Sequence, residues 1–76
     1  MHNYIKLDFT KVKGYKYLGP NAKQLFEKTY KKHNSSLGTA EKEKWLPVLV
    51  ELKSGCLVVT FANGEWLHYY TDYTWG

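Results

Sequence analysis

Two glycine-containing corners, Ser54-Gly55 and Asn63-Gly64, divide the apolar stretch LPVLVELKSGCLVVTFANGEWLHYYT, residues 46–71, into three short runs. Asn-Gly between apolar runs is the strongest short hairpin signal, because a type I′ turn needs positive φ at both central positions. As a two-residue loop, Asn63-Gly64 sets Phe61 opposite Trp66, Val59 opposite His68 and Leu57 opposite Tyr70. Ser54-Gly55, treated alike, sets Leu52 opposite Leu57, Val50 opposite Val59 and Val48 opposite Phe61. The two loops then agree on one apolar face with the rows Leu52–Leu57–Tyr70, Val50–Val59–His68 and Val48–Phe61–Trp66. A three-stranded antiparallel meander with that face in the core is the expectation.

The opposite face then carries Lys53–Cys56–Thr71, Glu51–Val58–Tyr69, Leu49–Thr60–Leu67 and Ala62–Glu65. On it Leu49, Val58, Leu67 and Tyr69 adjoin, and the parity continues to Tyr73 and Trp75. A patch of that kind is either covered or used. Tyrosine and tryptophan bury large areas at low entropic cost and dominate interface hot spots. Seven Tyr and three Trp in 76 residues exceed what so small a core needs. The six residues are therefore the candidate protein-binding site, the partner being a larger host protein. Cover by the N-terminal segment or the tail, or a homodimer seam, are the competing uses.

The front half supplies the second layer. Tyr4 to Phe9 alternates, with Ile5, Leu7 and Phe9 on one side, and predicts an N-terminal edge strand. Gly14 marks a bend, with a short strand over Tyr15–Leu18. Gly19-Pro20 opens a helix whose apolar positions, Ala22, Leu25, Phe26 and Tyr30, form one stripe. Asn34-Ser35-Ser36 stops it. Thr39 is placed as the cap of a second, short helix reaching about Trp45, which Pro47 ends. The expected fold is a single two-layer α+β domain spanning residues 1–76, helices on the apolar sheet face.

Charge is distributed unevenly. Residues 1–33 hold eight of the eleven basic residues against Asp8 and Glu27, a net +6, whereas the remainder holds three against five acids, a net −2. All eleven are lysines. Without arginine there is no bidentate reader of phosphate or guanine, which argues against sequence-specific DNA recognition. Lys6, Lys11, Lys13, Tyr15, Lys16 and Tyr17, joined by Lys28, Lys31 and Lys32, form the alternative site. Lysines interleaved with tyrosines follow a phosphate backbone while stacking the bases of a single strand. Lysine, asparagine and tyrosine usage also points to an AT-rich coding genome, such as that of a low-GC bacterium, its phage or a mobile element.

Residues for catalysis are sparse. On the expected register Cys56 and His68 lie on opposite faces, which removes a Cys/His nucleophilic pair. Glu51 and Glu65 share a face, but four strand residues put them roughly 14 Å apart, beyond the ~5–10 Å of glycosidic chemistry. His2, His33 and His68 have no metal-ligand spacing, and the glycines form no phosphate loop. No enzyme, metal or cofactor is expected. One cysteine excludes an internal disulfide, the start MHNYIKLDF lacks an apolar leader core, and the longest apolar run is too short to span a membrane. The sequence reading is a cytoplasmic, non-enzymatic binding protein of the inhibitor or regulator type.

Overall fold

The computed structural model describes residues 4–76. Two single-turn 3-10 helices, Phe9–Lys11 and Tyr15–Tyr17, precede α1 (Pro20–Ser35) and α2 (Thr39–Lys42). Three strands follow, β1 (Pro47–Lys53), β2 (Cys56–Phe61) and β3 (Trp66–Tyr69), paired in that order in one antiparallel sheet. The chain is a small α+β domain, with α1 packed on one sheet face. The core consists of Val12, Leu18, Phe26, Tyr30, Val50, Leu57, Val59, Phe61 and Tyr69.

Helix α1 begins with Pro20 in its first turn, where the missing N–H would have had no partner. The apolar stripe runs one turn further than its apolar residues alone indicate, since His33 and Asn34 are buried beside Phe26, Thr29 and Tyr30. Phe26 and Tyr30 are wholly buried, each contributing roughly 2–3 kcal/mol by removing its ring from water. α2 starts at Thr39 itself. Gly38 takes the cap position and no side chain caps the helix, so Thr39 is its first residue rather than its cap.

The expected edge strand over Tyr4–Phe9 is not formed. Its backbone is claimed by α1 instead of the sheet: the Ile5 N–H donates to Asn34 Oδ1 at 2.9 Å, and the Tyr30 hydroxyl donates to the Ile5 carbonyl at 2.6 Å. Asp8 then accepts from the Thr10 N–H and starts the first 3-10 turn at Phe9. Tyr15–Tyr17 is likewise a 3-10 turn and not a strand. The β1 edge is met by one residue, Lys13, whose N–H donates to the Val48 carbonyl and whose carbonyl accepts from the Val50 N–H. Gly14 makes this approach possible, with φ +90° and no room for a side chain beside the Val50 carbonyl.

The β1–β2 register is as expected at Leu52–Leu57, Glu51–Val58, Val50–Val59 and Leu49–Thr60. Ser54 and Gly55 both take positive φ, 46° and 81°, as a type I′ turn requires. At the far end Phe61 pairs with Pro47 instead of Val48. Val48 is bulged out and exposed.

The β2–β3 register differs by one residue from the expectation. Leu57 pairs with Tyr69, Val58 with His68, Val59 with Leu67 and Thr60 with Trp66. The Phe61 N–H donates to the Glu65 carbonyl and the Gly64 N–H to the Phe61 carbonyl, closing a loop of Ala62, Asn63 and Gly64. Only Gly64 among these has positive φ, +87°. This is the three-residue hairpin, in which a type I turn is followed by a left-handed glycine. The extra residue turns β3 over, so Val50 and Val59 face the helix while His68 faces away.

After β3 the chain reverses. Asp72 accepts from the Thr74 N–H, Tyr73 takes φ +65°, and the tail returns along β3. His68 and Gly76 exchange both backbone bonds at 3.0 Å, and the Tyr70 N–H donates to the Thr74 carbonyl at 2.8 Å. Trp75 thereby comes opposite Tyr69, on the helix side.

A candidate interaction face on the helix-free side of the sheet

The face of the sheet away from α1 carries the rows Leu49–Thr60–Trp66 and Glu51–Val58–His68, with Lys53 paired to Cys56. Tyr70 continues the parity of Trp66 and His68. These three aromatics form a ladder along β3 and the residue that follows it. The Trp66 and His68 rings meet edge to face at 5.3 Å between centroids, and His68 and Tyr70 stack at 5.7 Å with 16° between their planes. Alternate residues of a strand project to one side at about 6–7 Å spacing, which brings such rings into contact. Trp66 is 57% exposed and Tyr70 41%. His68 is held between them, its Nδ1 3.3 Å from the Gly76 carbonyl oxygen.

The charges on this face line the β1 edge: Glu51 and Lys53, with Oε1 and Nζ 3.9 Å apart, and the exposed Lys13, which is bridged to Leu49. The lysines of α1 lie on the other layer.

The six residues expected to form the protein-binding patch do not lie together. Tyr69 is wholly buried in the core, and Leu67 and Trp75 pack against it on the helix side. Tyr73 lies near α1, with Lys28 Nζ 5.8 Å from its ring centroid. Leu49 and Val58 alone remain on the helix-free face, beside Trp66, His68 and Tyr70, which the two-residue loop assigns to the core. The other reading of the Asn-Gly signal, a three-residue loop with glycine left-handed, is what would have found them. Burying an imidazole mid-sheet in the two-residue register was the local cost that pointed to it.

The same shift places Cys56 and His68 on one face, correcting their expected separation. Cys56 is half-buried, and its thiol donates to the Lys53 carbonyl at 3.4 Å. Among the described residues no group of three or more His, Cys, Asp or Glu is arranged to hold a metal ion. Nor is any described helix long and apolar enough to cross a membrane.

The lysine and tyrosine candidates divide into two groups. Lys11, Lys13, Lys16 and Tyr17 surround a shallow recess at the 3-10 turns, with Tyr17 81% exposed and Lys16 Nζ 5.1 Å from its ring centroid. Lys6 is exposed on the N-terminal segment. Tyr15 turns the other way, stacking on Phe9 at 6.1 Å and donating its hydroxyl to Glu27. That hydrogen bond to a carboxylate pushes the Tyr15 phenol up to about 12. Lys28, Lys31 and Lys32 belong to α1, where Lys31 Nζ lies 5.7 Å from the Tyr4 ring centroid.

Comparison with known protein families, with curated proteins and with solved structures finds no match to this chain.

Proposed function

We propose that the helix-free sheet face is a docking surface for a larger protein, and that the chain acts as a non-enzymatic binding protein by occupying that partner's surface. The observation that carries this reading is the Trp66–His68–Tyr70 ladder beside Leu49 and Val58, with its outer rings, Trp66 and Tyr70, exposed to solvent. Trp and Tyr are the side chains that most often anchor protein interfaces. With Glu51, Lys53 and Lys13 confined to the β1 edge, the centre of the face favours an apolar patch on the partner, with acceptors for the Trp66 indole N–H and the Tyr70 hydroxyl. A single cysteine and no disulfide fit a cytosolic setting.

The test is a Trp66→Ala/Tyr70→Ala double variant used as bait in a low-GC bacterial lysate, with nuclease-treated and untreated arms. The expected outcome is loss of the captured protein in both arms while the thermal midpoint stays within a few degrees of the parent. Unchanged capture by the double variant overturns the reading. Lysine-based contact with single-stranded nucleic acid is the second reading, carried by the exposed Tyr17 among Lys11, Lys13 and Lys16. Its signature is an affinity that falls steeply with salt and survives Trp66→Ala/Tyr70→Ala.

A further inference from the structure

Away from the helix-free sheet face, the last turns of α1 border a cleft of about 440 Å³ lined by Tyr4, Lys31, Lys32, Ser35, Ser36 and Trp75. Its size falls in the lower part of the ~300–1,000 Å³ range of small-ligand sites. The two aromatics come from opposite ends of the chain and are fixed independently. Tyr4 meets Tyr30 edge to face at 6.3 Å, and Trp75 rests on the His33 ring at 5.0 Å with 35° between planes. Both are half-buried, so each keeps ring surface toward solvent.

The polar side of the cleft is cationic. Lys31 and Lys32 are exposed, and no acid is among the lining residues. Glu27 stands one helical turn before Lys31, its carboxylate taken up by the Tyr15 hydroxyl, and Asp72 feels the charge of Lys32. The hydrogen bond from the Thr74 hydroxyl, with the charge of Lys32 adding to it, holds the Asp72 carboxyl below the usual range. Lys32 is thus partly balanced, whereas Lys31 lies over Tyr4 and faces no carboxylate in a salt bridge among the described residues. The Ser36 hydroxyl donates to the His33 carbonyl at 2.6 Å and retains its lone pairs as acceptors, and Ser35 adds a second hydroxyl.

We infer that this cleft binds a nucleoside phosphate, its base against Tyr4 and Trp75, its phosphate on Lys31 and Lys32, and its sugar hydroxyls near Ser35 and Ser36. Aromatic rings stack any base through its π-face. Lysine meets phosphate as a point charge and needs no bidentate geometry. The ligand is either a free nucleotide or one residue of a single strand.

The test titrates the intact protein with adenosine 5′-monophosphate, adenosine, inorganic phosphate and a short single-stranded oligonucleotide, following backbone and indole N–H resonances. The expected result is shifts at Lys31–Ser36 and the Trp75 indole, with the Trp66 indole unmoved. Adenosine and phosphate alone bind at least about tenfold more weakly than the monophosphate, since each satisfies half of the site. Lys31→Gln/Lys32→Gln changes two exposed side chains, leaves the fold intact and weakens binding by a similar factor. Tighter binding of the oligonucleotide assigns the ligand to a strand, and equal or weaker binding assigns it to the free nucleotide. Absence of shifts at millimolar nucleotide, shifts confined to other regions, or binding unaffected by Lys31→Gln/Lys32→Gln overturns the inference. Trp66→Ala/Tyr70→Ala leaves nucleotide binding unchanged, which separates this site from the protein-docking face.

Discussion

The Nδ1 of His33 lies 3.0 Å from the Tyr69 hydroxyl, joining the last turns of α1 to β3 through the core. His33 is only 3% exposed and is ringed by Trp45, Phe61, Tyr69 and Trp75, with centroids 5.0–5.9 Å away. Burial holds its imidazole down to about 4, from an ordinary 6.5. Burial likewise pushes the Tyr69 phenol above its usual value, so the pair is neutral.

That depression makes stability depend on pH. The unfolded chain takes up a proton at His33 below about 6.5, whereas the folded chain resists it until about 4. Stability is therefore complete above pH 6.5 and declines as pH falls toward 4, by up to about 3 kcal/mol at ~1.4 kcal/mol per pH unit. Urea unfolding between pH 7 and pH 4 is expected to show this decline, and His33→Gln to flatten it. Asp8 and Asp72, held low by hydrogen bonds from the Thr10 and Thr74 side chains, act in a separate window. What they add is present above the unfolded value of 3.8 and is lost below it.

The adjacent tyrosines at the end of β3, Tyr69 and Tyr70, should respond oppositely. Tyr69→Ala empties a wholly buried site and is expected to cost about 3–5 kcal/mol. Tyr70→Ala truncates an exposed ring and should stay within about 0.5 kcal/mol. Denaturant midpoints of the two variants check the β3 register directly, since the two-residue loop would exchange the outcomes.

Gly14→Ala is expected to destabilise by more than about 2 kcal/mol. The added Cβ would sit 2.1 Å from the Val50 carbonyl oxygen at a residue with φ +90°. The left-handed backbone alone costs an L-residue ~1–2 kcal/mol, and the clash would part Lys13 from β1. Hydrogen exchange at the Val50 amide, which donates to the Lys13 carbonyl, should accelerate beyond the global change.

Thr29→Val runs the other way. The Thr29 hydroxyl is buried without a hydrogen-bond partner among the described residues. Replacing it with a methyl group removes an unpaired polar group at nearly constant volume, for a gain of about 1 kcal/mol. An unchanged or lower melting temperature would show that the hydroxyl is satisfied in solution.

Much of the fold can be read from residue pattern alone. The stripe Ala22, Leu25, Phe26 and Tyr30 locates α1, and Ser54-Gly55 sets the β1–β2 pairing down to Leu49. Two features mislead. Ile5, Leu7 and Phe9 alternate as a strand does, but Asn34 and Tyr30 take the Ile5 backbone groups, and no local pattern reveals a partner 29 residues away. Asn63-Gly64 is compatible with loops of two or three residues, and the choice is settled by which aromatics the α1 face accommodates. Tyr69 has His33 as a partner for its hydroxyl in the core; His68 would have had to bury an imidazole there.

The loop of Ala62, Asn63 and Gly64 is for that reason a selector. Strand parity has only two values, so a single-residue deletion there would rotate β3 by half a turn and exchange what the molecule hides with what it displays. Tyr69 would be offered to solvent, and Trp66, His68 and Tyr70 would be driven against α1. The identity of the exposed aromatics is thus encoded in the length of a hairpin rather than in the composition of the strand that bears them.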